Sequence, residues 1–345
     1  MAKIIRRISK PPVLMPFTFL AVLFTLALTF ATVEIPRVIN YVLVGYFTDY
    51  HPLKQPGLGE KFMASVRPIG YALLAVVIAL IIVGFVTKKR GLSSLGSIFL
   101  FLPTFGYFAV YMFFLAGLGI LRVEWMPFGG SAFVGSANLF RLGDVVYVPY
   151  MIPVYLFAFV HVDIRLPLAY TAIGLGLFIF VLGTIAWFYG KYKGRETIDF
   201  WIYKYSRHPQ YLGFIIWSYG VMLLGALSEV FHGRRYPPIT LPWLVSSLII
   251  ICVALMEEID MRKKDSEGYL RYRARAPFMF PLPKFISSVI MAPNRILFKR
   301  YLPENRKQVI GTFAAYLGIF ILLSLPFLLI NWPPALRWID WPYLD

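Results

Sequence analysis

Cysteine and histidine are scarce in this chain, with one and four in 345 residues. Cys252 stands alone in an apolar run, so no internal disulfide can form. His51, His161, His208 and His232 are scattered with no metal-ligand spacing, which excludes disulfide scaffolds and zinc enzymes and leaves no metal to expect. Charge is scarce as well: 15% of residues are charged, against about 25% in water-soluble domains. A soluble globular chain is thereby excluded. Acidic residues are fewest, 17 against 34 Lys and Arg, giving a net charge of +17. In a soluble protein that excess would point to nucleic acid, but here the bases flank apolar runs, and attraction to anionic lipid headgroups accounts for them. No nucleic-acid partner is expected. Two-residue alternation of the kind that builds a membrane barrel is also missing, as are repeats and low-complexity segments.

What remains is apolar: 59% of the chain is hydrophobic and 18% of the chain is aromatic. A membrane-crossing helix needs about 20 mostly apolar residues. Runs free of Asp, Glu, Lys and Arg occur at Pro11–Val33, Pro68–Thr87, Gly91–Leu121, Val145–Val160, Leu166–Gly190, His208–Ser228, Tyr236–Met256 and Val309–Leu336. The fold class expected is all-α: a polytopic transmembrane bundle of about eight spans with amphipathic helices at the cytoplasmic face. Met1–Lys10 is basic like the start of a signal peptide, but the run after it is of spanning length and lacks a clear small-residue cleavage site, so it reads as a retained anchor.

Basic residues in short loops stay on the cytoplasmic side. Lys3, Arg6, Arg7 and Lys10 place the N-terminus inside, with Lys88, Lys89 and Arg90 after the second run. The basic loop Lys191–Arg207 should share that side, yet three runs intervene and an odd number cannot return the chain to it. Val145–Val160, short and holding Pro149 and Pro153, and Gly91–Leu121, interruptible at Pro103, are the suspects. Farther on, His208–Ser228 and Tyr236–Met256 form a hairpin turned at Gly233–Pro238, so that residues 191–209 and 257–280 flank its inner ends and can share a pocket. Lys284–Lys307 mixes apolar and basic residues like a helix lying in the headgroup plane. The final run ends in Trp332, Trp338, Trp341 and Tyr343, interfacial anchors. Gly117/Gly119 and Gly174/Gly176 lie inside apolar runs, where close helix packing is the better reading than a dinucleotide site. Three regions follow: residues 1–165, of no assigned role; 166–283, the chemical core; and 284–345, the interfacial stretch and last span.

Two stretches carry chemistry. Arg207, His208, Pro209, Tyr211 and Gly213 stand at the entry of a run. Proline suits the first turn of a helix, and the N–H groups of that turn, beside Arg207 and His208, suit an anionic group. The second stretch opens on Glu257 and Glu258 at the end of an apolar helix, where carboxylates need cationic company. Glu258 with Arg262 and Asp260 with Lys264 have the four-residue spacing of intrahelical ion pairs. Glu257 has Met261 at that spacing, and so is the better candidate for a ligand cation.

Together the two stretches resemble the membrane methyltransferases typified by isoprenylcysteine carboxyl methyltransferase and the phospholipid N-methyltransferases. That pattern runs Arg-His-Pro-x-Tyr-x-Gly, then Glu-Glu-x-x-Leu-x-x-x-Phe-Gly-x-x-Tyr-x-x-Tyr-x-x-x-Val-Pro. Arg207, His208, Pro209, Tyr211 and Gly213 match the first part; Glu257, Glu258, Met261 for Leu, Tyr269, Tyr272 and Pro277 match the second. Asp265-Ser266 replace Phe-Gly and Ala276 replaces Val. The resemblance covers about residues 166–283 and implies S-adenosyl-L-methionine, bound from the cytoplasm, with methyl transfer to a lipid or lipid-tailed acceptor. It implies cofactor contacts from Arg207, His208, Pro209, Tyr211, Gly213, Glu257, Glu258, Tyr269 and Tyr272, with Glu257 and Glu258 on the methionyl ammonium. It also implies that Arg273 or Arg275 meets the acceptor headgroup or the cofactor carboxylate, as the catalytic pair. Membrane sterol reductases, which use NADPH, are the nearest rival; their loop resembles Arg-His-x-Asn-Tyr-x-Gly-Asp, from which Pro209, Gln210 and Phe214 depart. A non-catalytic lipid-binding or transport protein is the other alternative, and it leaves Glu257 unexplained.

Overall fold

The computed structural model describes residues 14–27, 58–101, 141–227, 240–264 and 266–329, with the side chains of 58–67, 101, 225, 264 and 266 left aside. Among the described residues every regular element is helical. In chain order these are α1 (Leu14–Ala27), α2 (Leu58–Thr87), α3 (Arg90–Phe101), α4 (Val148–Ala158), α5 (Arg165–Tyr192), α6 (Pro209–Leu227), α7 (Thr240–Lys264), α8 (Ser266–Arg275), α9 (Lys284–Ile290), α10 (Ala292–Phe298) and α11 (Arg306–Leu329). Single 3-10 turns precede α4 (Asp144–Tyr147) and α6 (Trp201–Lys204).

Four of these helices are long and apolar enough to cross a bilayer, at Pro68–Thr87, Arg165–Tyr192, Thr240–Lys263 and Arg306–Leu329, as expected of an integral membrane protein. The described residues thus carry four of the eight expected spans. The run at Val145–Val160 yields only the 11-residue α4, which at a rise of about 1.5 Å per residue falls well short of a bilayer's hydrocarbon thickness. The run at His208–Ser228 gives the 19-residue α6. Pro11–Val33 and Gly91–Leu121 are described only as α1 and α3; their remainders, Gly117/Gly119, His51, His232, the turn at Gly233–Pro238, the basic residues before Leu14 and the aromatic residues beyond Trp332 lie outside the described residues.

Small residues and hydrogen-bonded serines tie the helices together. On α6, a Cβ added at Gly213 would stand 2.6 Å from the backbone nitrogen of Phe180 on α5, and one at Gly220 would stand 2.6 Å from that of Ile173. The seven-residue spacing puts both glycines on one face of α6, and Gly176 meets that face from α5. Gly174, by contrast, faces open space, so only half of that expected glycine pair packs a helix. Gly213→Ala must push two helix backbones apart, at a cost of about 1–3 kcal/mol. Thermal unfolding in detergent should show a clear fall for Gly213→Ala and none for Gly174→Ala.

Two hydroxyls exchange bonds between α3 and α7: Ser97 Oγ donates to the Ser246 carbonyl and Ser246 Oγ to the Ser97 carbonyl, both at 2.9 Å. Trp243 Nε1 donates to Ser218 Oγ at 3.0 Å, fixing α7 on α6. At one end of the bundle Asp144, fully buried, accepts from Arg141 Nε and from Thr240 Oγ1, each at 2.8 Å, while Arg141 also reaches the Phe327 carbonyl. This staple joins the turn before α4 to α7 and α11. The other end carries the motif residues.

The expected single headgroup-plane helix over Lys284–Lys307 is broken into α9 and α10. Pro293 sits in the first turn of α10, where it lacks an N–H to continue the preceding helix. Phe285, Val289, Ile296 and Leu297 remain exposed there, the side chains that a bilayer surface would take up.

Candidate functional site

The start of α6 is held by its own chemistry. Pro209 takes the first helical position, the His208 carbonyl accepts from the Leu212 N–H at 2.9 Å, and Ser206 Oγ accepts from the His208 N–H at 3.2 Å. The Arg207 N–H donates to the Pro277 carbonyl at 3.0 Å, pinning this loop to the segment after α8. The N–H groups of Arg207 and His208 themselves are used within the chain, which folds its own oxygen atoms onto them.

The two charged segments do meet, and the first thing they do is pair with each other. Arg207 Nε lies 2.6 Å from Glu258 Oε1 and Nη2 lies 3.2 Å from Oε2, a fork-to-fork pair with both side chains buried. The remaining guanidinium nitrogen, Nη1, donates to the carbonyls of Arg273 (3.0 Å) and Ala276 (2.7 Å), and Phe278 lies under the guanidinium with its ring centroid 5.9 Å away. Arg207 therefore closes α7, α8 and the start of α6 around one charge. Glu258 does not pair with Arg262, as its spacing had led us to expect; Arg262 reaches Glu304 instead. Asp260 takes Arg90, at the head of α3. Each of these partners is tertiary, because the end of α7 faces three different elements at once.

Glu257 is left on the open side. Its side chain is 25% exposed, against 6% for Glu258. Tyr211 Oη donates to Glu257 Oε1 at 2.8 Å, Arg90 Nη1 lies 3.7 Å from the same oxygen, and His208 Nδ1 lies 3.8 Å from Oε2. The His208 ring stacks against Tyr211 (centroids 5.7 Å apart) and meets Phe278 edge-on (5.3 Å). His208 Nε2 is buried 3.4 Å from Glu258 Oε1 in a geometry that makes no hydrogen bond.

Beneath them, α8 contributes two buried phenols. Tyr272 Oη donates to the Tyr203 carbonyl at 2.8 Å, and Tyr269 Oη, also buried, has no hydrogen-bond partner. Burial, reinforced by the Glu258 carboxylate, pushes the Tyr269 hydroxyl well above its usual range, and burial does the same for Tyr272. Both stay neutral at physiological pH. Gly213 lies in the α5–α6 crossing, Pro209 is buried, and at the end of α8 Arg273 is half-buried and Arg275 exposed. Arg90 and Phe278 were missing from the residues expected at the site. Arg90 was visible in the sequence only as one of three bases in a turn.

Among the described residues no group of three or more His, Cys, Asp or Glu side chains is placed to hold a metal ion. Residues 137–276 match a family described as a protein of unknown function (DUF1295), a stretch running from the buried Arg141–Asp144 staple to the end of α8 and including both motif segments. No curated protein and no solved structure matches the chain.

Proposed function

We propose that this protein is an integral membrane methyltransferase dependent on S-adenosyl-L-methionine, acting on a lipid or lipid-tailed acceptor at the cytoplasmic face. The observation that carries the proposal is the Glu257 corner: a partly exposed carboxylate at the end of a membrane-length helix, bonded by the Tyr211 hydroxyl and flanked by the buried His208 ring stacked on Tyr211.

The residues fit the cofactor in a particular way. Arg207 and Glu258 satisfy each other and build the floor. Glu257 is free to hold the methionyl ammonium, with the ring faces of Tyr211 and His208 beside it for the sulfonium. When bound, the cofactor would supply an electrophilic methyl group for in-line displacement. No nucleophilic side chain is needed for that, and the chain's task is to position the reactants and exclude water. Arg273 and Arg275, at the exposed end of α8, are the groups proposed for the acceptor's acidic headgroup or the cofactor carboxylate.

Calorimetric titration of the detergent-purified protein with S-adenosylhomocysteine should give saturable binding, and the same titration with NADPH none. Binding of NADPH alone would replace the methyltransferase with a reductase, and silence with both would leave a lipid-binding or transport protein.

A further inference from the structure

Helices α2, α7 and α11, three of the four membrane-length helices, enclose an apolar groove of about 260 Å3. Its floor is buried, formed by Ile249 and Cys252 of α7 and Val309 of α11, while Val86 and Ile310 on its rims are 67% and 69% exposed. A groove with a closed floor and open rims on membrane-length helices opens sideways, toward hydrocarbon. Its volume falls just under the range of about 300–1,000 Å3 typical of whole-ligand clefts, which suits a length of one chain and not an entire lipid.

One end of the groove is polar. From Ile249 the lining runs along α7 to Met256, about 10 Å at the helical rise, and the next residue is Glu257. Arg306 lines that same end, its guanidinium exposed and donating to the Val86 carbonyl at 3.4 Å; Lys307 is exposed beside it. Neither base has a carboxylate partner among the described residues. Two open cations where an apolar groove reaches the membrane surface match an anionic headgroup, since each basic residue near such a surface contributes about 1 kcal/mol.

We infer that this groove seats a hydrocarbon chain of a lipid with an anionic headgroup, with Arg306 and Lys307 on the headgroup. The inference rests on the methyltransferase proposal only in making the seated lipid the acceptor, which leaves Arg273 and Arg275 to the cofactor carboxylate.

The test uses the full chain purified in mixed micelles holding equal amounts of phosphatidylglycerol and phosphatidylcholine, with lipid retained through gel filtration quantified by mass spectrometry. The wild type should retain phosphatidylglycerol about fivefold over phosphatidylcholine. Ile310→Trp and Val86→Trp fill the groove from opposite rims, at exposed positions that leave the core untouched, and each should cut retention about fivefold, a shift of roughly 1 kcal/mol. Arg306→Gln combined with Lys307→Gln should erase the preference between the two lipids. Unchanged retention in both tryptophan variants, or equal retention of the two lipids by the wild type, would overturn the inference. S-adenosylhomocysteine titrated into the same samples separates the two ideas: both tryptophan variants should bind it like the wild type, whereas a wild type that retains the lipid and ignores the cofactor analogue sinks the methyltransferase proposal alone.

Discussion

Replacing Arg207 with methionine is expected to destabilise the protein by about 3–5 kcal/mol, because it strips a buried carboxylate of its only bidentate partner. Three elements lose their common anchor at once. Glu258 is left buried without its guanidinium partner, with only the His208 ring nearby, and the carbonyls of Arg273 and Ala276 lose their shared donor. Arg207→Lys should recover little, since a lysine ammonium cannot span both carboxylate oxygens and two carbonyls as the planar fork does. Pairing Arg207→Met with Glu258→Leu should return much of the loss, because a buried ion pair exchanged for apolar residues of similar size is often near neutral. The measurement is a double-mutant cycle on unfolding in detergent, read by thermal scanning. An Arg207→Met protein that unfolds at the wild-type temperature would show that the pair does not hold these elements together, and a double variant as unstable as the single one would place the cost in the two carbonyls instead.

The meeting of these segments was legible in the sequence because it rests on two robust regularities: apolar runs of spanning length, and charged residues that collect at one end of a hairpin. The spans at Pro68–Thr87 and Arg165–Tyr192 were equally plain, since bilayer thickness fixes their length. The partner choices were not legible. Arg207 and Glu258 each looked like a ligand contact, and only the fold reveals that they lie within reach of each other across 51 residues. The rule that a carboxylate at an apolar helix end needs a cation was the available signal; it asked for a partner without naming one. Arg90 stands 170 residues from Asp260, beyond anything that local spacing can report. Gly213 was misleading for another reason: a glycine in a motif suggests a ligand's approach, whereas the seven-residue interval to Gly220 on an apolar helix was the better clue to its packing against α5.

These pairings also sharpen what Glu257→Gln should do. With Glu258 committed to Arg207, Glu257 is the one carboxylate of the two with room for a ligand. The amide keeps an oxygen for the Tyr211 hydroxyl, and Arg90 keeps Asp260, so folding stability should change by well under the cost of breaking the buried pair. Affinity should change far more. A hydrogen bond to a charged group contributes about 1.5–3 kcal/mol, so losing the carboxylate's contact with the methionyl ammonium should weaken S-adenosylhomocysteine binding by about 10- to 100-fold. Methylthioadenosine provides the internal control, because it keeps the adenosine and thioether and lacks the amino-acid end. Its binding should be indifferent to Glu257→Gln if the carboxylate holds the ammonium, and should fall in parallel if Glu257 merely shapes the pocket. Undiminished binding of S-adenosylhomocysteine by the variant would remove Glu257 from the ligand's path and leave Tyr211, Arg90 and Glu257 as a structural cluster at the end of α7.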